Sequence, residues 1–281
     1  MTEYQVSCLA PLTRYPSGLP KRGSHMIPQN LTAPVAEALR PIWRKKHPTA
    51  IKAYNRMRQI FTEGRFMGCD CAPFELEAAT RILGEAHHVS TPIRATPCQE
   101  VPAFYARFGD AFSDECLRFM LLTLVRLDGC VGARHSEISD GIWTVPAERI
   151  KGTEGTVRDF RVPLSAEAQA VVDRLKPFTE DLIFAPSGKA ISSNALAYRL
   201  DHMKEPGRPH GFRTSFRTWV QDTDACSWEV SETVLGHTVG NKVERSYARS
   251  DLLERRRTVM EAWARHVTGR HSATVVNLRG D

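Results

Sequence analysis

The longest apolar run in this chain reaches only from Leu117 to Leu127, and Arg118 and Arg126 interrupt it. A bilayer-crossing helix needs about 20 largely apolar residues, so no membrane span is expected and the run reads as a core helix. Leu117, Met120, Leu121 and Leu124 repeat at helical spacing, and the helix is expected to end near Arg126–Gly129. The period then changes. Ile142–Val145 reads as a strand, and Phe160, Val162 and Leu164 alternate with Arg161 and Pro163 as a second, with Gly152 and Gly155 supplying a turn between them. Helical spacing or caps return over residues 166–175, 193–203, 211–221, 228–235 and 251–266. Asp251 with Glu254 makes a capping-box-like start for the last of these. Leu252, Val259, Met260, Trp263 and Val267 give that helix an apolar side, which Arg255–Arg257 interrupt.

Upstream, a helical pattern extends from Pro34 to about His88, with Ala53, Met57, Ile60 and Phe61 on one stripe and Lys52, Arg56 and Arg58 around the polar side. Arg44, Lys45, Lys46 and His47 cluster just before it. Such a cluster is either a solvated face or a set of phosphate contacts. Residues 90–100, with Pro92 and Pro97 and little periodicity, read as a linker. Residues 1–30 are expected to be an unstructured or non-native segment; 17–26 reads like a vector-derived linker, and the basic start and apolar stretch of a secretory signal are missing.

A chain of 281 residues has room for about two domains. Its net charge of +6 favours a polyanionic partner without selecting one. Seven cysteines, an odd number at uneven spacing, point to reduced thiols and a cytoplasmic home. Cys69 and Cys71 with His87 and His88 do not have a usual zinc-ligand spacing, so no metal is expected. No phosphate-binding glycine loop appears either, and no cofactor is expected.

Toward the C-terminus stand H-G-F-R at His210–Arg213, L-G-H at Leu235–His237, and Tyr247. His210 and Arg213 are three apart and share a helix face, while Phe212, Phe216 and Val220 form the opposite, buried one. Taken singly, each is a weak signal: H-x-x-R arises by chance, a histidine after Leu-Gly is often a helix-end residue, and most tyrosines pack. Together they suit phosphodiester transesterification. That reaction gathers charge on the non-bridging oxygens, which arginines clamp in bidentate fashion. It stores the bond energy on a side-chain nucleophile such as a phenol, and a general acid protonates the leaving sugar oxygen.

The order of these residues resembles the tyrosine recombinases of the phage and prophage integrase type. L-L-T-L-V-R-L-D-G-C-V-G-A-R, G-I-W-T-V-P-A-E-R-I-K, R-V-P-L-S and H-T-V-G-N-K-V-E-R-S-Y-A-R-S-D-L-L-E-R-R-R carry the same likeness, over about residues 116–268. The resemblance implies that Arg126 and Arg213 clamp the scissile phosphate, that His210 assists proton transfer and that Lys151 protonates the departing 5′-oxygen. By the same resemblance His237 hydrogen-bonds the phosphate, and Tyr247 attacks it to leave a 3′-phosphotyrosyl link. Arg126 is preferred over Arg134, which superficially fits an R-x-S-E form of the motif; among the basic residues of the hairpin, which include Arg149 and Arg158, Lys151 is the lysine.

The implied fold is α+β, a mostly helical catalytic domain around a small antiparallel sheet at 101–269, preceded by a partial helical core-binding domain at 31–90. The linker then occupies 91–100, and a disordered tail 270–281. The implied partners are double-stranded DNA at attachment sites and a homotetramer assembled on it, with Arg44, Lys45, Lys46, Lys52 and Arg56 as DNA contacts. Two features depart from the family pattern. The family carries an acidic residue three after the first arginine, where this chain has Gly129, and its helical front is fuller than 34–88. Those departures keep an inactive, DNA-binding integrase remnant as the alternative, with a type IB topoisomerase-like relaxase as a remoter one.

Overall fold

The computed structural model describes residues 31–68, 72–89, 92–150, 157–237, 239–240 and 250–270. They fall into two units that divide between Thr91 and Pro92. Among the described residues no helix is long and apolar enough to cross a membrane.

The first unit packs three helices, α1 (Thr32–Trp43), α2 (His47–Phe66) and α3 (Pro73–Leu83). Proline in the first turn starts α2 and α3, where its missing N–H costs nothing. Val35, Ala36, Leu39 and Trp43 from α1 meet Ala50 and Met57 from α2 and Leu76, Ala79 and Leu83 from α3. The Trp43 indole donates to the Gly84 carbonyl at 2.8 Å, so the polar edge of this buried side chain is satisfied. The expected α2 stripe is corrected at one place: Ile60 is 41% exposed, and the buried line runs through Ala50 and Met57.

The second unit is built around α5 (Phe112–Thr123), which follows the short α4 (Val101–Tyr105). Its residues Cys116–Leu117 and Phe119–Leu122 are buried on every side, as an all-round apolar helix requires. Two acids in its first turn, Asp114 and Glu115, are also buried, and each is paired: Asp114 with Arg199, and Glu115 with Arg118 and Arg174. They complement the helix N-terminus as well as their arginines. The helix stops at Thr123, earlier than expected, because Leu124 turns left-handed (φ 60°); Arg126 then lies at the N-cap of a separate short helix, α6 (Leu127–Val131).

The sheet has three antiparallel strands in the order β1 (Ile138–Ser139), β2 (Ile142–Val145) and β3 (Phe160–Pro163). Ile142 pairs with Pro163 and Val145 with Phe160, so the expected hairpin is present, with Lys151 and the tip residues 151–156 outside the described residues. Five helices follow: α7 (Ala166–Leu175), α8 (Ser193–His202), α9 (Phe212–Thr223), α10 (Trp228–Val234) and α11 (Leu253–Val267). Serines cap three of them, Ser165, Ser192 and Ser227 each accepting from a backbone N–H three residues on, a contribution of about 1 kcal/mol apiece.

The last helix starts differently from the capping box expected at Asp251. Leu252 occupies the N-cap in a left-handed conformation, and the Asp251 carboxylate instead takes Arg161 and Arg256. Arg256 does not interrupt the apolar side from outside; it is 1% exposed, donates to the Arg161 carbonyl at 2.7 Å and lies over the Phe160 ring. The Trp263 indole donates to the Leu121 carbonyl at 2.8 Å and packs with Phe216 and Trp219, fastening α11 to α5 and α9. Residues 94–100 pack into this unit too. Arg208 donates to the Arg94 carbonyl at 3.0 Å, Thr96 and Cys98 are buried, and Gly211 approaches Arg94 so closely that a Cβ there would collide with its backbone.

Candidate active site

The left-handed turn at Leu124 aims its carbonyl at α9, where the Arg213 Nη1 donates to it at 2.5 Å. The other end of that guanidinium, Nη2, donates to the Leu235 carbonyl and lies 2.9 Å from His237 Nε2. Arg213 is only 6% exposed. It therefore belongs to the buried side of α9 beside Phe212, Phe216 and Val220, and not to an open face shared with His210 as the three-residue spacing suggests. Burial first, and then the nearby charges of Arg126 and Arg217, bring its pKa down to about 10, which leaves it cationic at neutral pH.

His210 sits in a single 3₁₀ turn, Pro209–Gly211, before α9 and is exposed. Partial desolvation, reinforced by Arg213, Arg126 and His237, lowers its pKa from 6.5, so the imidazole is neutral at pH 7. His237 owes its position to the turn that ends α10. Gly236 is left-handed (φ +60°), its N–H bonds to the Thr233 carbonyl at 3.0 Å, and the His237 N–H reaches back to the Glu232 carbonyl at 2.9 Å. This is a Schellman closure, and it explains why the L-G-H motif needs its glycine.

Arg126, Arg213 and His237 line one open cleft of about 520 Å³, together with Arg149, Arg158 and Arg256. Asp251 is the acid among its lining residues. Arg149 is ion-paired with Glu137, whose carboxylate also accepts from the Trp143 indole at 3.0 Å. No carboxylate pairs with Arg126 among the described residues. Gly129 is buried, a Cβ there would stand 2.7 Å from Val125 Cγ1, and Asp128 is exposed. Arg134 lies away from the cleft and is ion-paired with Asp181 at 2.8 Å. Lys151 and Tyr247 lie outside the described residues. Arg44, Lys45, Lys46, Lys52 and Arg56 are all exposed on the first unit, and Arg44 and Lys45 border a hollow there with Arg40 and Trp43.

Sequence reasoning missed Arg256 and Glu232. Arg256 reads as one of three arginines that interrupt the apolar side of the last helix. Glu232 carries no signal of its own in the sequence, and only the glycine turn brings His237 back onto it, Oε2 lying 2.7 Å from Nδ1.

A buried guanidinium and a histidine line a cationic cleft in a helical domain around a three-stranded sheet, and the chain is similar in sequence and in fold to integrases. It is 33% identical over 177 residues to the prophage integrase IntA of Escherichia coli, a stretch covering 59% of this chain and 41% of that protein, so the chain spans well under half the length of this relative. No family model matches the sequence. Lambda integrase residues 75–356, solved as a dimer bound to a COC′ core site, share the fold with a TM-score of 0.58 at 16% identity, over 88% of this chain and 86% of that one. The Tn1549 transposon integrase bound to circular-intermediate DNA gives 0.54 at 14% identity, over 82% and 85%. A lambda integrase tetramer on a Holliday junction gives 0.60 at 17% identity, over 85% and 71%.

Proposed function

We propose that this chain cuts and rejoins double-stranded DNA at specific sites through a 3′-phosphotyrosyl intermediate at Tyr247. The observation that carries this reading is the convergence of Arg126, Arg213 and His237 on one cationic cleft. A diester bound there meets two guanidiniums as its non-bridging oxygens gain charge, and preorganised donors of this kind contribute about 10²- to 10³-fold each. The Tyr247 oxygen bonds to phosphorus as the bond to the 5′-oxygen breaks. The phenol proton passes to a base, for which neutral His210 is suited, and Lys151 delivers a proton to the 5′-oxygen. Rejoining runs the same steps in reverse, so no nucleotide is consumed.

The solved relatives on core-site DNA and on a Holliday junction support double-stranded DNA as the partner and a tetramer as the working assembly. Arg44, Lys45, Lys46, Lys52 and Arg56 then serve as phosphate contacts from the first unit, in a cytoplasmic protein with access to the chromosome. A second reading, a DNA-binding remnant without activity, is favoured by one observation: Gly129 offers Arg126 no carboxylate to orient it. A reporter plasmid carrying two attachment sites from the genomic flanks tests both readings. The first expects Tyr247-dependent recombinants and the second expects specific binding with none. Relaxation of an arbitrary supercoiled plasmid would instead mark a topoisomerase-like relaxase.

A further inference from the structure

We propose that Glu232 is the positioning residue of His237: a carboxylate, itself held by Arg217, that fixes the imidazole in one tautomer and supplies the counter-charge its outer nitrogen needs to become a donor. The inference deepens the reading of the cleft as a phosphodiester site and rests on it.

In a Schellman closure the residue after the glycine normally packs an apolar side chain onto the last helical turn. Here that pair is His237 and Glu232, and Glu232 is 6% exposed. A carboxylate is costly to bury unless its oxygens are bonded, and both of these are. Oε1 accepts from Arg217 Nε at 2.8 Å and from Arg217 Nη2, while Oε2 faces His237 Nδ1 at 2.7 Å. Burial alone pushes the Glu232 carboxyl up, but the hydrogen bonds from Arg217 and His237 outweigh it and hold the group below its usual value, so it is ionised at neutral pH.

The ring's protonation follows from its partners. An ionised carboxylate only accepts, so Nδ1 carries the proton, and an arginine only donates, so Nε2 presents its lone pair to Arg213 Nη2 at 2.9 Å. In that state His237 cannot donate to a phosphate oxygen. When a diester enters, the ring takes one proton from solvent at Nε2 and turns it toward the phosphate. Nδ1–H stays on Glu232, which balances the new charge, and Arg213 Nη2 is released to the same diester. Glu232 stands at contact distance from the ring, Arg213 lies 2.9 Å from its other nitrogen, and Arg126 and Asp251 line the same cleft.

Side-chain nitrogen NMR of His237 in the full chain, with and without Glu232→Gln and Arg217→Gln, reads this directly. The expected result is an Nδ1-protonated tautomer in the unaltered chain and its loss in Glu232→Gln, where Arg217 holds the amide oxygen and the amide N–H turns to the ring. Arg217→Gln, which loosens the carboxylate, should reduce the Nδ1-protonated fraction. A purely structural contact would not set the tautomer. In the covalent DNA-adduct assay Glu232→Gln should slow the reaction about 10- to 100-fold. Arg217 is half exposed, so its variant carries the test if Glu232→Gln does not fold. A tautomer unchanged in a folded variant would overturn the role of Glu232, whatever the adduct assay gives. A Glu232-dependent tautomer in a chain that forms no adduct would keep the dyad and remove the phosphodiester reading.

Discussion

Arg213 is held by two backbone carbonyls and a histidine, with no carboxylate in contact among the described residues, and its charge therefore remains available to an anion in the cleft. Lysine cannot reproduce that fork. Arg213→Lys is expected to cut adduct formation by about 10²-fold or more, measured under single-turnover conditions, with specific DNA binding largely kept. His210 gives a second expectation at this scale. Its folded pKa lies below the unfolded value of 6.5, so the unfolded chain binds more protons on acidification. Its stability contribution is then present above pH 6.5 and is lost as pH falls toward the folded pKa. Denaturant titrations should show His210→Gln flattening the loss of stability below pH 6.5. At this scale the sequence was informative through its resemblance to a family: Arg126, Arg213 and His237 were named by that resemblance, and the three line one cleft. Glu232 was not legible, because a contact five residues apart exists only through the left-handed Gly236.

At the level of elements, the same glycine sets the aim of His237. A Cβ at Gly236 would meet only ordinary contacts with Phe160 at 3.5 Å, so the cost of Gly236→Ala comes from its positive φ. That cost is about 1 kcal/mol in thermal or chemical unfolding, and the displaced imidazole should lower adduct formation further than the reduced stability explains. Trp263 is fully buried between α5 and α9, and Trp263→Ala should cost about 3–5 kcal/mol. The apolar core helix, the hairpin strands and the later helices were legible from their periods. The end of α5 was not, because Leu124 adopts a conformation that nothing in its side chain favours. Strand β1, two residues long, has no period to detect. The burial of Arg256 was not legible because it depends on Phe160, Arg161 and Asp251, which lie outside its own helix.

At the scale of the whole molecule, the first unit contributes exposed cations and the second a cationic cleft, and both suit a phosphate backbone. Replacing Arg44, Lys45 and Lys46 with alanine should weaken binding across sequences and reduce the slope of log affinity against log salt by about one for each phosphate that the variant leaves unneutralised. An unchanged slope would mean that this face is only solvated. The central claim, that Tyr247 attacks a phosphodiester held in the cleft, is tested most directly by covalent trapping. The chain is incubated with nicked duplexes from its own genomic flanks and denatured, and the DNA-linked peptide is sequenced. The expected result is a 3′-phosphotyrosyl adduct at Tyr247, absent from Tyr247→Phe. A folded chain that binds these duplexes specifically and yields no adduct, or one linked elsewhere, would contradict it.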